Sequence, residues 1–189
     1  VRAGIDTSIE TFTGLYLDYS DPKPDQISVL DIARALSFSC RWAGHCSRYY
    51  SVAEHAVRVR DAVIQAGYPQ YAFAALHHDS HEAYVGDWPT PLKRTLENSG
   101  YRDLVNRIDY AISDAFGFCE SEMVNAVVRA ADELLLWREA ACLKDSGGHG
   151  PHWGDHPVAL WLAEPYGWPP PLAQSTFLQA HYDDMERYG

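Results

Sequence analysis

At 189 residues the chain is long enough for one domain with a self-sufficient core. Its formal charge of -11, from 26 acidic and 15 basic residues, repels a nucleic-acid backbone and argues against a polymer partner. A small phosphorylated ligand stays open, because one arginine or a metal ion reverses the field inside a pocket. The four cysteines (Cys40, Cys46, Cys119 and Cys142) form no CxxC pair, which argues against a zinc knuckle or a dense disulfide framework. Neither a secretory leader nor an apolar run of membrane-spanning length is evident, so a cytoplasmic protein with no membrane partner is expected.

Residues 1–27 lack long periodicity and read as a short irregular N-terminal arm. Residues 11–19 within it suit an extended segment or hairpin, which Asp21-Pro22-Lys23-Pro24 ends. Residues 28–189 read as a single helical domain. Ser28 caps a predicted helix from Val29, with Asp31 as a weak capping-box carboxylate and Ile32, Ala35 and Leu36 as the apolar stripe. Gly44 breaks the pattern in a loop at Arg41-Trp42-Ala43-Gly44-His45. Ser51 caps a second helix, with Glu54 three residues later as in a capping box, and it ends near Gly67-Tyr68-Pro69.

A third helix is predicted over about residues 70–85, which would set Ala75, His78 and Glu82 on one face with Asp79 one step round. A proline-rich turn at 86–91 and a short helix at 91–96 follow. The clearest helix covers 101–116 and closes at Gly117. One long helix is predicted over 120–142, where Val124, Val127, Val128, Ala131, Leu134 and Leu135 surround the lone Asp132. Residues 146–157 read as a loop rich in His and Gly, and 158–162 as a short apolar segment. A last helix is predicted over 175–187 with Phe177, Ala180 and Met185 facing inward. The fold class that follows is all-α.

His55, His78, Asp79 and Asp132 come from three of these helices and are able to converge. Two imidazoles and two carboxylates suit a divalent cation of the Mn²⁺ to Zn²⁺ group and leave room for water and a substrate oxygen. Asp132 weighs most, since a carboxylate within an apolar helix is costly to bury unless paired or metal-bound. A salt bridge to Arg129, or a place on the polar side of the helix, is the ordinary alternative.

Four pieces together resemble a known pattern. They are Arg41-Trp42, Ser51-Val52-Ala53-Glu54-His55, the run His78-Asp79-Ser80-His81-Glu82-Ala83-Tyr84-Val85-Gly86-Asp87-Trp88-Pro89-Thr90-Pro91-Leu92-Lys93, and Ala131-Asp132. Over roughly residues 28–145 they are similar to the H…HD…D signature of HD-domain metal-dependent phosphohydrolases. The match is closer to the branch of bacterial 5'-deoxynucleotidases and related phage nucleotide phosphohydrolases. The resemblance implies an HD-domain helical fold and one divalent metal ion, Co²⁺, Mn²⁺, Zn²⁺ or similar. It implies His55, His78, Asp79 and Asp132 as the metal ligands. Glu82 resembles the acid/base residue, able to orient water or protonate the leaving 5'-oxygen. Arg41 resembles the phosphate-contacting arginine, with planar donors suited to two-point contact. Trp42 resembles the residue beside sugar and base, and Asp87 the one beside the deoxyribose. Without the motif, Glu82 would read as solvated, Arg41 as a surface ion pair, Trp42 as core, Asp87 as a turn cap and Lys93 as solvated.

The implied activity is metal-dependent hydrolysis of the 5'-phosphate of deoxynucleoside monophosphates. The alternative is a deoxynucleoside triphosphohydrolase that releases triphosphate, such as a phage dATP triphosphohydrolase, with Arg34, Arg48, Lys93 and Arg94 as candidate cations. A non-catalytic HD ligand-binding module ranks lower, because all four ligand positions and Glu82 are filled. The partner expected is a small-molecule deoxynucleotide, and dimerisation in the family leaves a homo-oligomer open. His77 reads as a structural histidine, while His81, three residues after His78, either supports the ligands from behind, serves a second metal site or faces solvent. His45 with Cys46, and the loop histidines His149, His152 and His156, remain without an assigned role.

Overall fold

The computed structural model describes residues 6–96, 98–149 and 161–188. Nine α-helices among them carry the structure: α1 (Val29–Phe38), α2 (Val52–Gln65), α3 (Ala72–His77), α4 (Glu82–Val85), α5 (Thr90–Thr95), α6 (Tyr101–Phe116), α7 (Glu120–Met123), α8 (Ala126–Leu143) and α9 (Pro170–Tyr188). The protein is predominantly α-helical, and the described part of the arm forms one small hairpin. Its strands β1 (Ser8–Glu10) and β2 (Tyr16–Asp18) pair antiparallel with Ile9 opposite Leu17. Asp31 does not serve a capping box. Its carboxylate accepts from the Thr11 and Thr13 hydroxyls and the Thr13 N–H at 2.7–2.8 Å, tying the hairpin turn to α1.

α2 lies at the centre and packs against α1, α3, α8 and α9, while α1 also lies on α4 and α9. Ile32, Leu36, Val52, Ala56, Leu76, Ile108, Ile112 and Phe177 form the main core. Val59, Val63, Ala75, Val128 and Leu135 fill a second apolar cluster between α2 and α8. No helix among the described residues is long and apolar enough to cross a membrane.

Ser51 caps α2 as expected, its hydroxyl oxygen accepting from the Glu54 N–H at 3.1 Å. The Glu54 carboxylate turns elsewhere. It binds Arg58 through two contacts of 3.0 and 2.8 Å and accepts from the N–H groups of Tyr166 and Trp168 at 2.9 and 2.6 Å. This buried carboxylate therefore fastens the segment before α9 onto α2. Gly167 lies between those two donors at φ +74°, where a Cβ would meet the Tyr49 carbonyl oxygen at 2.5 Å.

Two predicted helices are broken. The stretch expected as one helix over 70–85 is a 3₁₀ turn (Pro69–Tyr71), then α3, then α4. Between α3 and α4 the backbone tightens to three-residue bonds, Ser80 N–H to His77 O and Glu82 N–H to Asp79 O, both at 3.0 Å. The long helix expected over 120–142 is divided at Asn125, whose side-chain oxygen accepts from the Val127 N–H at 2.9 Å and opens α8. α9 begins at Pro170, where proline suits a first helical turn, and its Met185 is exposed rather than inward. Asp184 is the buried neighbour, gripping Arg60 at 2.8 and 2.6 Å.

His77 is structural, as the sequence suggested. It is fully buried, with Nδ1 2.8 Å from the Ser80 hydroxyl and Nε2 2.9 Å from Nδ1 of His181. Rings of Phe73, Phe116, Phe118 and Phe177 surround it. Burial holds His77 well below its ordinary value, and the neighbouring His181 and His78 add to that. Burial also pushes His181 down to about 4 from 6.5, against the opposing pull of Asp184. Between those two values the unfolded chain binds protons here that the folded chain refuses. The stabilisation is therefore complete above 6.5 and is lost as pH falls towards 4. For His181 alone the whole window amounts to about 3 kcal/mol. Thermal melts between about pH 7.5 and about pH 4.5 should show a falling Tm, and His181→Gln should flatten the fall. An unchanged slope in that variant would refute this account.

Candidate metal centre

The break between α3 and α4 has a functional consequence: it places His78 and Asp79 in a turn facing α2 and α8. The His55 Nε2 atom of α2 lies 3.1 Å from Asp132 Oδ1 of α8 and 3.7 Å from Asp79 Oδ2. His78 Nε2 lies 3.2 Å from Asp79 Oδ2 and 3.8 Å from Asp132 Oδ1. His55, His78 and Asp79 offer ligand atoms all within 4.8 Å of one another. Asp132, the most exposed of the four, reaches both imidazoles rather than Arg129. The structure thus brings the four residues together.

The outer nitrogens fix how the rings face. His78 Nδ1 donates to the Ala75 carbonyl at 2.8 Å; a carbonyl only accepts, so the proton sits on Nδ1. His55 Nδ1 meets the Glu139 carboxylate at 2.7 Å. Both Nε2 atoms are buried without a hydrogen-bond partner. Two imidazoles held by Nδ1, each with Nε2 directed at two carboxylates, form a donor set that fits a divalent cation able to take the place of the Nε2 protons.

The electrostatics agree. Burial and Arg41 push the His55 imidazolium down, yet Glu139 and Asp132 overcome both and hold it up to about 10. His78 is raised as well, where Asp79 and Asp132 outweigh burial. Burial raises Asp79, but His78, His55 and Arg41 bring it well below the usual carboxylate range. Burial is likewise overcome at Asp132, which His55 and His78 hold low. A cluster that draws protons onto buried imidazoles suits a cation in their place.

Arg41 is buried, unlike a surface ion pair. Its guanidinium lies 3.6 Å from Asp79 Oδ2 and 3.5 Å from Glu139 Oε2, and its Nε has no partner. Trp42 and Ala43 follow in the left-handed region, at φ 52° and 53°. Such non-glycine residues cost about 1–2 kcal/mol each. The Trp42 N–H donates to Asp87 Oδ2 at 2.7 Å, which pins the strained turn beside the centre. Asp87 therefore caps Trp42 across space, not the proline turn that follows it. Lys144 Nζ lies 4.3 Å from the centre of the Trp42 ring.

Glu82 is buried, not solvated, and opens α4. Its Oε1 accepts from Lys93 Nζ at 2.8 Å, so Lys93 is engaged too, while Oε2 has no partner. Burial and Asp79 raise Glu82 to about 7 despite Lys93. His81 is buried with Nδ1 3.0 Å from Asp109, and with Asp79 and Glu82 it forms a second group of close ligand atoms.

Sequence reasoning missed Glu139. It is fully buried seven residues after Asp132 on α8 and touches His55, Tyr50 and Arg41. The signal was available, since seven residues bring a second carboxylate back to the helix face of the first. His45 and His149 are exposed, and His152 and His156 lie outside the described residues.

An all-α fold with clustered His and Asp residues suggests a metal-binding hydrolytic site and is consistent with the broad metal-dependent phosphohydrolase superfamily. No protein-family model matches the chain. It is 40% identical over 131 residues to Uncharacterized protein YfdR of Escherichia coli, spanning 69% of each chain. It is 34% identical over 135 residues to Uncharacterized protein RCAP_rcc00048 of Rhodobacter capsulatus, spanning 68% of each. The chain belongs to the family of YfdR.

Titrating Mn²⁺ or Co²⁺ into the metal-free protein should raise Tm, with about 2.7 kcal/mol of stabilisation at a hundredfold excess over Kd. Asp132→Asn should remove most of that gain. A melt insensitive to every divalent ion would contradict the assignment of the cluster.

Proposed function

We propose that the centre belongs to an HD-domain phosphohydrolase of the 5'-deoxynucleotidase branch and hydrolyses the 5'-phosphate of deoxynucleoside monophosphates. The observation that carries this reading is the pair of buried imidazoles, His55 and His78, with unpartnered Nε2 atoms beside two aspartates and a buried arginine. His55, His78, Asp79 and Asp132 would hold one divalent ion, Co²⁺, Mn²⁺, Zn²⁺ or similar. When bound, that ion supplies Lewis acidity toward a phosphoryl oxygen and makes water more acidic.

The chain's own groups supply the rest. The Arg41 guanidinium receives phosphate oxygens, and its position over Asp79 sets where they dock. Glu82, raised to about 7, accepts a proton from the attacking water or returns one to the leaving 5'-oxygen near neutral pH. Lys93 fixes one oxygen of that carboxyl and leaves the other free. The Trp42 ring offers a face to the nucleoside. Asp87 spends one oxygen on the Trp42 N–H and has the other to accept from the 3'-hydroxyl. The activity resides in a single domain over 28–189, in a cytoplasmic protein that binds a small deoxynucleotide rather than a polymer or a membrane.

One observation favours the triphosphohydrolase as a second reading. Lys93 and Arg94 line a cavity of about 350 Å³ together with His81, Tyr101 and Arg102. Arg34 and Arg48 do not join them: Arg34 lies over the Phe12 and Phe38 rings, and Arg48 donates to the Pro165 carbonyl.

The test is a panel of the four dNMPs, the four dNTPs and their ribose counterparts, with Mn²⁺, Co²⁺, Mg²⁺ and Zn²⁺ and with products separated. Free phosphate from dNMPs supports the first reading and intact triphosphate from dNTPs the second. No turnover of either with any metal would sink both. Glu82→Gln should lower turnover by about 10²–10⁴ while metal binding persists. Near-normal turnover in that variant would remove Glu82 from its role.

A further inference from the structure

Glu139 is a carboxylate that water does not reach. Its Oε1 accepts from the Tyr50 hydroxyl at 2.6 Å and meets His55 Nδ1 at 2.7 Å, while Oε2 lies 3.5 Å from an Arg41 guanidinium nitrogen. Burying such a charge is costly, and removing one partner of a buried pair leaves the other uncompensated. A glutamine or an apolar side chain would fill the same space without that cost. The charge is therefore informative: it faces two groups, His55 in the ligand cluster and Arg41 beside it. His55 and Tyr50 flank Ser51 at the start of α2, so Glu139 also ties α8 to that helix end.

We infer that Glu139 is the positioning residue of the centre: it keeps the His55 proton on Nδ1, so that Nε2 stays available to a divalent cation, and it holds the Arg41 guanidinium beside Asp79 where a phosphate group docks. This rests on reading the cluster as a metal-dependent phosphohydrolase centre. One carboxylate then sets both the affinity for the cation and the affinity for the phosphate. Glu139 itself touches neither. Glutamine keeps an oxygen for His55 but loses the charge, and its amide N–H groups would face the Arg41 donors.

The experiment measures Co²⁺ binding to the full chain by calorimetry and by the visible spectrum of the bound ion, in wild type, Glu139→Gln and Glu133→Gln. Glu133 is an exposed carboxylate on the same helix, and its variant controls for lost charge alone. Circular dichroism checks that each variant is folded. Wild type and Glu133→Gln should bind Co²⁺ alike. Glu139→Gln should bind it about 10–100-fold more weakly with an altered spectrum, and KM for the phosphorylated substrate should rise more than kcat falls. A folded Glu139→Gln with wild-type affinity and spectrum would overturn the inference while leaving the metal centre standing. Wild type that binds none of Co²⁺, Mn²⁺ and Zn²⁺ would overturn both. If Glu139→Gln does not fold, Tyr50→Phe decides, since it removes one donor and keeps the carboxylate. It should show a smaller loss of Co²⁺ affinity, and no loss would overturn the inference.

Discussion

The contact between Glu139 and His55 concentrates the constraints on this structure. A carboxylate with no water around it needs donors, and Glu139 takes them from α2, through Tyr50 and His55, and from the turn after α1, through Arg41. Moving any of these elements would leave a buried charge short of a partner, so α8, α2 and the Arg41 turn are held in one register. His55 responds by directing Nε2 away from Glu139 and towards Asp79 and Asp132. A metal-ligand geometry thus follows from satisfying a buried charge in the core.

The helix breaks serve the same arrangement. In a continuous helix His78 and Glu82 would share one face, with Asp79 one step round. The three-residue bonds between α3 and α4 instead let His78 and Asp79 face one cluster while Asp79, His81 and Glu82 form another. Asp79 belongs to both, which couples the candidate acid/base to the ligand set: its charge is one reason that Glu82 is raised. Asn125 does comparable work for α8. It opens the helix on which the seven-residue spacing puts Asp132 and Glu139 on one face.

What the sequence revealed, and what it concealed, follows from the range of each interaction. Ser28 and Ser51 were legible as caps because their partners lie within three residues. The α6 boundaries were legible because two glycines bracket an even apolar stripe. The roles of Asp31 and Glu54 were not: Asp31 turns to Thr11 and Thr13, 18 or more residues away, and Glu54 to Arg58 and to the N–H groups of Tyr166 and Trp168, 112 or more residues away. Asp132 stood out because it interrupts an apolar run. Glu139 sits in a more polar part of the same helix, between Arg138 and Ala140; its seven-residue spacing from Asp132 was there to read, but the fold was needed to show that it is buried. The breaks at 78–81 and at Asn125 were missed for a related reason: the apolar stripe resumes at Ala83 and Tyr84 after the first and runs on through Val127 and Val128 after the second, so pattern alone does not register the change in backbone bonding.

The acidity of the chain looks ill-suited to an anionic substrate until the local charges are considered. The formal charge of -11 describes the whole surface, whereas Arg41 is buried beside Asp79 and the half-buried Lys93 is paired with Glu82. Each cation is already paired with a carboxylate of the centre, so neither confers a broad basic surface. A phosphate group competes for them only at close range, where a cation held by the ligand cluster adds to their attraction. Under the proposed function, long-range repulsion combined with short-range capture would favour small phosphorylated molecules over polymers, because a small ligand meets the unfavourable field with few charges. The strained Trp42 turn fits this arrangement. Pinned by Asp87, it places an aromatic face and an acceptor next to Arg41, so under the proposed function phosphate and sugar would be read by adjoining residues of one short loop.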